Sequence, residues 1–145
     1  MQTEKCIEFV NFVQELPAPQ EDIEHWLNVA AKFDYYFCDD LYIVALFHDV
    51  IEDGYCTMSE LIERFNLTEE QQIALDMITR SKGWKYFDYI RYITNNEIAR
   101  KVKIEDLKDN MRRCLDDLDN RWSLLRRYAK AYAILTDKWE EKEHD

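Results

Sequence analysis

Apolar residues recur at three- and four-residue spacing along almost the whole chain, the period of helices that pack on one side. Residues 3 to 16 set Cys6, Phe9, Val10 and Val13 on one face, with Leu16 one turn on. The run Leu16-Pro17-Ala18-Pro19 closes that helix, because proline disfavours helical geometry in the residue before it. A second helix is expected from residue 21 to 36, with Ile23, Trp26, Leu27, Ala30 and Phe33 as its stripe and His25 beside it. Asp39 or Asp40 is placed to cap a third helix, and Gly54 to end it.

Thr57-Met58-Ser59-Glu60 reads as a capping box ahead of Leu61, Ile62 and Phe65. A second box, Thr68-Glu69-Glu70-Gln71, opens a helix with Ile73, Leu75, Met77 and Ile78. After the loop Ser81-Lys82-Gly83, the aromatic segment from Trp84 to Ile93 is expected to be helical. A long pattern from Asn95 carries Ile98, Val102, Leu107, Met111 and Leu115, and its register breaks in the Asp/Asn-rich stretch from Asp116 to Asn120. A last helix holds Leu124, Leu125, Tyr128, Ala131, Tyr132, Leu135 and Trp139, with Tyr128, Tyr132 and Leu135 expected in the core. No repeat, low-complexity segment or linker interrupts the pattern. It predicts an all-α fold of about seven or eight helices, one domain spanning residues 1–145.

Composition sharpens this in a few places. With 2 glycines and 2 prolines there is little punctuation for hairpins, and with 47% hydrophobic residues disorder is not expected. The formal net charge of −11 argues against a nucleic-acid partner. Cys6, Cys38, Cys56 and Cys114 form no C-x-x-C pair, so reduced thiols are expected rather than a cysteine zinc site. No secretion signal or membrane-spanning run stands out, and a soluble cytoplasmic chain, monomeric or homo-oligomeric, is the expectation.

The third helix carries the chemistry. Its first half, Tyr42-Ile43-Val44-Ala45-Leu46-Phe47, is fit for burial, yet His48, Asp49, Glu52 and Asp53 follow at once. At 100° per residue these four fall within an arc of about 140°. One imidazole and three carboxylates beside a core are costly unless a cation sits on them. His25 lies about six turns upstream, where an antiparallel pair of helices returns it to His48. Asp106 lies on a later helix, with Asp109 as its rival for the site. Two imidazoles and two carboxylates from three helices make a sound octahedral set with two positions left for water. That mixture suits Mn²⁺, Fe²⁺, Co²⁺ or Zn²⁺ better than Mg²⁺.

His25, then Ala45-Leu46-Phe47-His48-Asp49-Val50-Ile51-Glu52-Asp53, then Lys103-Ile104-Glu105-Asp106-Leu107-Lys108-Asp109-Asn110, in that order, resembles the HD-domain phosphohydrolases. The nearer resemblance is to their alarmone-hydrolase branch, the RelA/SpoT-type and metazoan SpoT-homologue enzymes. The hallmark of that branch looks like A-x-L-x-H-D-x-x-E-D followed later by K-x-x-D-x-x-x-N. The resemblance implies one divalent ion, Mn²⁺ first, held by His25, His48, Asp49 and Asp106. It implies that Glu52 and Asp53 orient or activate the attacking water and that Asn110 contacts a nucleotide. The implied activity is (p)ppGpp-like 3′-pyrophosphate hydrolysis through a metal-activated water.

Phosphate needs cations as well, and an acidic chain has to gather them locally. The densest basic run with aromatics is Thr79-Arg80-Ser81-Lys82-Gly83-Trp84-Lys85-Tyr86, followed by Arg91. Arg80, Lys85 and Arg91 are candidates for a pyrophosphate, with Tyr86 or Trp84 for stacking on a base and Lys103 as a further cation. Arg112, Arg113, Arg126 and Arg127 are expected to pair with nearby acids such as Asp116, Asp117 and Asp119. The chain departs from the alarmone pattern in three places. No basic segment with arginine precedes His25, Trp26 follows it where a proline is usual, and Gly54 stands where a threonine is usual. No synthetase segment follows, so hydrolysis rather than synthesis is expected. The alternatives are another nucleotide phosphatase of the superfamily (5′-nucleotidase or dNTPase type), a catalytically idle HD domain binding a nucleotide or protein, or an acidic interaction protein.

Overall fold

The computed structural model describes residues 2–34 and 39–137. Among them run eight α-helices: α1 (Gln2–Gln14), α2 (Gln20–Ala30), α3 (Asp40–Phe47), α4 (Met58–Phe65), α5 (Glu69–Ile78), α6 (Tyr86–Ile93), α7 (Glu97–Cys114) and α8 (Leu118–Leu135). A 3-10 turn, Leu115–Asp117, joins the last two within the stretch where the register was expected to break. The expected Trp139 and the tail with His144 lie outside the described residues. Among those residues no helix is long and apolar enough to cross a membrane.

Helix starts follow local chemistry. Asp39 accepts from the amide of Tyr42 at 2.9 Å, and Thr57 from that of Glu60 at 3.1 Å. At α5 the box is reciprocal: Thr68 accepts from the Gln71 amide at 3.2 Å, and the Gln71 side chain accepts from the Thr68 amide at 3.0 Å. Asn96 opens α7 by accepting from the amide of Ala99 at 2.9 Å. Each bond satisfies one of the amides that a helix start leaves without an internal partner.

Helix α7 is the hub, packed against α8, α2, α3 and α5, while α2 and α3 pack on each other. Tyr42 to Phe47 of α3 are all buried, so this short helix runs through the interior. Phe47 meets Phe9 of α1 edge-on at 5.8 Å and stacks on Phe65 of α4 at 5.5 Å, closing an aromatic cluster. Arg113 of α7 reaches Asp22 of α2 at 3.3 Å and ties the two helices that flank the site.

Four expectations need correction. The third helix does not run to Gly54: it ends at Phe47, and residues 48–54 form tight turns. The His48 ring explains part of this, since its Nδ1 donates at 2.5 Å to the carbonyl of Ala45, which a continuing helix gives to the amide of Asp49. Gly54 still serves as a terminator, with a left-handed φ of 81° at the end of the turns. Helix α2 stops at Ala30 rather than 36, and α6 begins at Tyr86 rather than Trp84. Cys56 and Cys114 are free and buried as expected, but Cys6 is disulfide-bonded, against the expectation of reduced thiols.

Candidate metal centre and adjoining cavity

Burial brings four of the expected residues to one point. His25 from α2, His48 and Asp49 from the end of α3, and Asp106 from the middle of α7 offer ligand atoms within 4.8 Å of one another. His25 Nε2 lies 2.8 Å from Asp106 Oδ1 and 3.7 Å from Asp49 Oδ2. His48 Nε2 lies 3.2 Å from Asp106 Oδ1 and 3.0 Å from Asp49 Oδ2. Two ligands about 2.1 Å from one ion and at right angles to each other lie about 3 Å apart, so these separations suit neighbouring ligands of a single divalent ion. His25, His48 and Asp106 are each almost fully buried, and Asp49 is half-buried.

The electrostatics point the same way. Burial pulls the His48 imidazole down, but the Asp49 and Asp106 carboxylates outweigh it and hold the ring well above its ordinary value. Burial pushes Asp106 up, yet Lys103 and His48 keep it well below the usual carboxylate range. Lys103 Nζ sits 2.7 Å from Asp106 Oδ2, and that pairing overrides its own burial and keeps the ammonium charged. An imidazole nitrogen facing carboxylates needs a proton or a metal ion between them, and a metal replaces the proton with a stronger cation.

Asp106 and its rival Asp109 both touch His25, from opposite sides of the ring. Asp106 faces Nε2, whereas Asp109 Oδ2 accepts from Nδ1 at 2.6 Å. Only Asp106 points into the cluster. The indole of Trp26 donates to Asp49 Oδ2 at 3.2 Å, holding that carboxylate in place. Asn110, one turn beyond Asp106, donates to Asp106 Oδ1 at 3.1 Å and accepts from Arg113 at 3.4 Å.

A polar cavity of about 250 Å³ opens beside the cluster. Asp49, Glu52, Asp53 and Asp106 form its acidic side, and Arg80, Lys103 and Arg127 supply cations. Glu52 stands at the rim, where its Oε1 accepts from the Arg80 amide at 2.6 Å. Partial burial raises its carboxyl above the ordinary value, against the pull of that bond. Partial burial, with the charges of Asp49 and Glu52, pushes Asp53 up to about 6. Among the described residues, a wider groove of about 540 Å³ on α8 shares no lining residue with this cavity and has no acid or imidazole in its lining.

Of the expected substrate contacts, Arg80, Tyr86, Lys103 and Asn110 line the cavity. Lys85 precedes α6 as an exposed residue, and Arg91 is exposed beside Asp88 at 3.7 Å; neither lines it. Tyr86 does not offer a bare ring for a base, because the Arg127 guanidinium already lies 3.6 Å from its centre. Trp84 is exposed and packs against Tyr92 at 5.0 Å.

Sequence reading missed Tyr89, Arg127 and Tyr128, which also line the cavity. The sequence pattern places Arg127 in an ion pair with nearby acids and Tyr128 in the core. Arg112 pairs with a nearby acid as expected, Asp109, and Arg113 with the distant Asp22. A signal for Arg127 existed: it lies four residues before Ala131, on the face that buries Ala131 and Leu135. A guanidinium on a buried stripe is as anomalous as His48 at the end of an apolar run. Among the described residues, the Tyr86 hydroxyl and Arg127 Nε are buried without a hydrogen-bond partner. Such groups call for a polar ligand or water.

No family model matches the chain, and no curated protein matches it.

Proposed function

We propose that the chain is a divalent-metal-dependent phosphohydrolase acting on a nucleotide phosphate ester. An alarmone-type 3′-pyrophosphate is the leading substrate, and Mn²⁺ the leading ion. The observation that carries this reading is the convergence of two imidazole Nε2 atoms and two carboxylates in the interior, beside a cavity lined with cations. His25, His48, Asp49 and Asp106 would hold the ion. When bound, it supplies positive charge to phosphate oxygens and lowers the pKa of water.

The chain's own residues divide the remaining work. Lys103 and Arg127 face the cavity as cations and bind phosphate oxygens, while Arg80 draws the substrate toward the rim. Tyr86 and Arg127 turn their unpartnered polar atoms to the bound anion. Glu52, with Oε1 held by the Arg80 amide, uses its second oxygen to take the proton from the attacking water. Asp53 lies beside it and carries a proton at mildly acidic pH, which suits it to return a proton to the departing oxygen. Asn110 acts first on Asp106, steadying that carboxylate, and its nucleotide contact is secondary.

The test combines metal analysis with a nucleotide panel assayed with Mn²⁺ for phosphate and pyrophosphate release. One equivalent of a transition metal in the purified protein, lost in His48→Ala, and turnover of a nucleotide support the proposal. A protein with no metal would sink it, and a metal-loaded protein that turns over nothing would make the chain a binding domain.

A further inference from the structure

Asp109 belongs neither to the four-residue cluster nor to the cavity lining, yet it makes the shortest contact of the His25 ring. Its Oδ2 lies 2.6 Å from His25 Nδ1, on the side of the ring away from the cluster. A neutral imidazole has one N–H and one lone pair, and a carboxylate can only accept. Asp106 Oδ1 faces Nε2 in the same way at 2.8 Å, so it is an ion taken up at Nε2 that leaves the ring's one proton on Nδ1, against Asp109. His48 is fixed in the same sense by a weaker acceptor, the Ala45 carbonyl at 2.5 Å. The two rings thus differ: one is backed by a neutral carbonyl, the other by a charged carboxylate.

Asp109 is itself held. Its side chain is only 11% exposed, and Arg112 Nε donates to Oδ1 at 3.1 Å, leaving Oδ2 to the imidazole. Asp106 and Asp109 stand three residues apart on α7, so they share one face of that helix. The His25 ring, arriving from α2, meets both: one carboxylate at each nitrogen. One helix supplies both the ligand beside the ring and the group that orients it.

We propose that Asp109 is a positioning residue for the metal centre, fixing His25 as the Nδ1–H tautomer and strengthening Nε2 as a donor. This rests on the metal-site reading above. A carboxylate behind a ligating histidine commonly contributes about 10- to 100-fold in metal affinity. His25 is then the anchor of the site, more sensitive to its backing group than His48.

The experiment uses Zn²⁺, which is diamagnetic, and the whole chain. Affinities of wild type, Asp109→Asn and Asp109→Ala are measured by competition with a chromophoric chelator. The His25 tautomer is read from imidazole ¹⁵N shifts in the Zn²⁺-loaded proteins. Helicity and melting of the chelated proteins report whether each variant folds. Asp109→Ala is expected to bind Zn²⁺ about 10- to 100-fold more weakly, and Asp109→Asn, which keeps an acceptor but no charge, to fall between it and wild type. In wild type the ¹⁵N shifts place the proton on Nδ1. A merely structural role would lower the melting temperature and leave affinity and tautomer unchanged, and that result overturns the proposal. If Asp109→Ala does not fold, Asp109→Asn decides, with wild-type affinity counting against. Wild type that takes up no Zn²⁺ overturns the metal-site reading beneath it, a failure visible before any variant is compared.

Discussion

At the scale of residues, the proposed function separates groups that hold the ion from groups that react. Glu52→Gln keeps size and removes the base, so metal content should stay at the wild-type level while kcat falls about 10²- to 10⁴-fold. Asp53 allows a test of pH dependence in the chelated protein. Its carboxyl is raised from 3.8 to about 6, so the folded state holds the proton more tightly than the unfolded chain does. Its stabilising contribution is full below the unfolded value and is lost as pH rises through about 6. The melting temperature of Asp53→Asn relative to wild type should therefore rise between pH 4 and pH 7, read by thermal scans in EDTA; a flat difference would refute it. His25, His48, Asp49 and Asp106 were legible because each is a polar group on or next to an apolar stripe, and burial brings such groups together. Arg127 broke the same rule on α8, but in sequence it stands in a run of basic residues with Arg121, Arg126 and Lys130, which reads as a solvated face.

At the scale of elements, caps were readable and ends were not. Asp39, Thr57 and Thr68 each make the expected bond, because a cap depends on three or four adjacent residues. The stop at Phe47 goes with a side chain turned back onto the Ala45 carbonyl and met from α7 by Asp106, which no local pattern reveals. Gln71 shows how a local device acquires a tertiary task. Besides completing the α5 box, its amide donates to Asp40 at 2.7 Å and pins α5 to the start of α3. Thr68→Ala should cost about 1 kcal/mol in urea unfolding. Gln71→Ala should cost more, about 2 kcal/mol, because a partly buried Asp40 oxygen also loses its donor. Equal costs would mean that the Asp40 contact contributes nothing.

At the scale of the molecule, the acidic chain brings three cations from separate elements to the cavity beside the cluster, with Arg80 from beyond α5, Lys103 from α7 and Arg127 from α8. An ion bound only by the folded form raises stability by mass action, about 2.7 kcal/mol at a hundred times its dissociation constant. Mn²⁺ should raise the melting temperature of wild type and leave that of Asp106→Asn unchanged. The distances along the chain carry a kinetic consequence. The contact between His25 and Asp106 spans 81 residues, and that between His48 and Asp106 spans 58. No fragment that lacks residue 25 or residue 106 contains all four ligands, so the full site forms only when these long loops have closed. Loop closure of this kind comes late, after local helices have formed. Divalent metal should then slow unfolding in a chevron experiment by the full stabilisation and leave the refolding arm where it was. The ion would act as a latch on a finished fold, and its release would mark the first step in taking that fold apart.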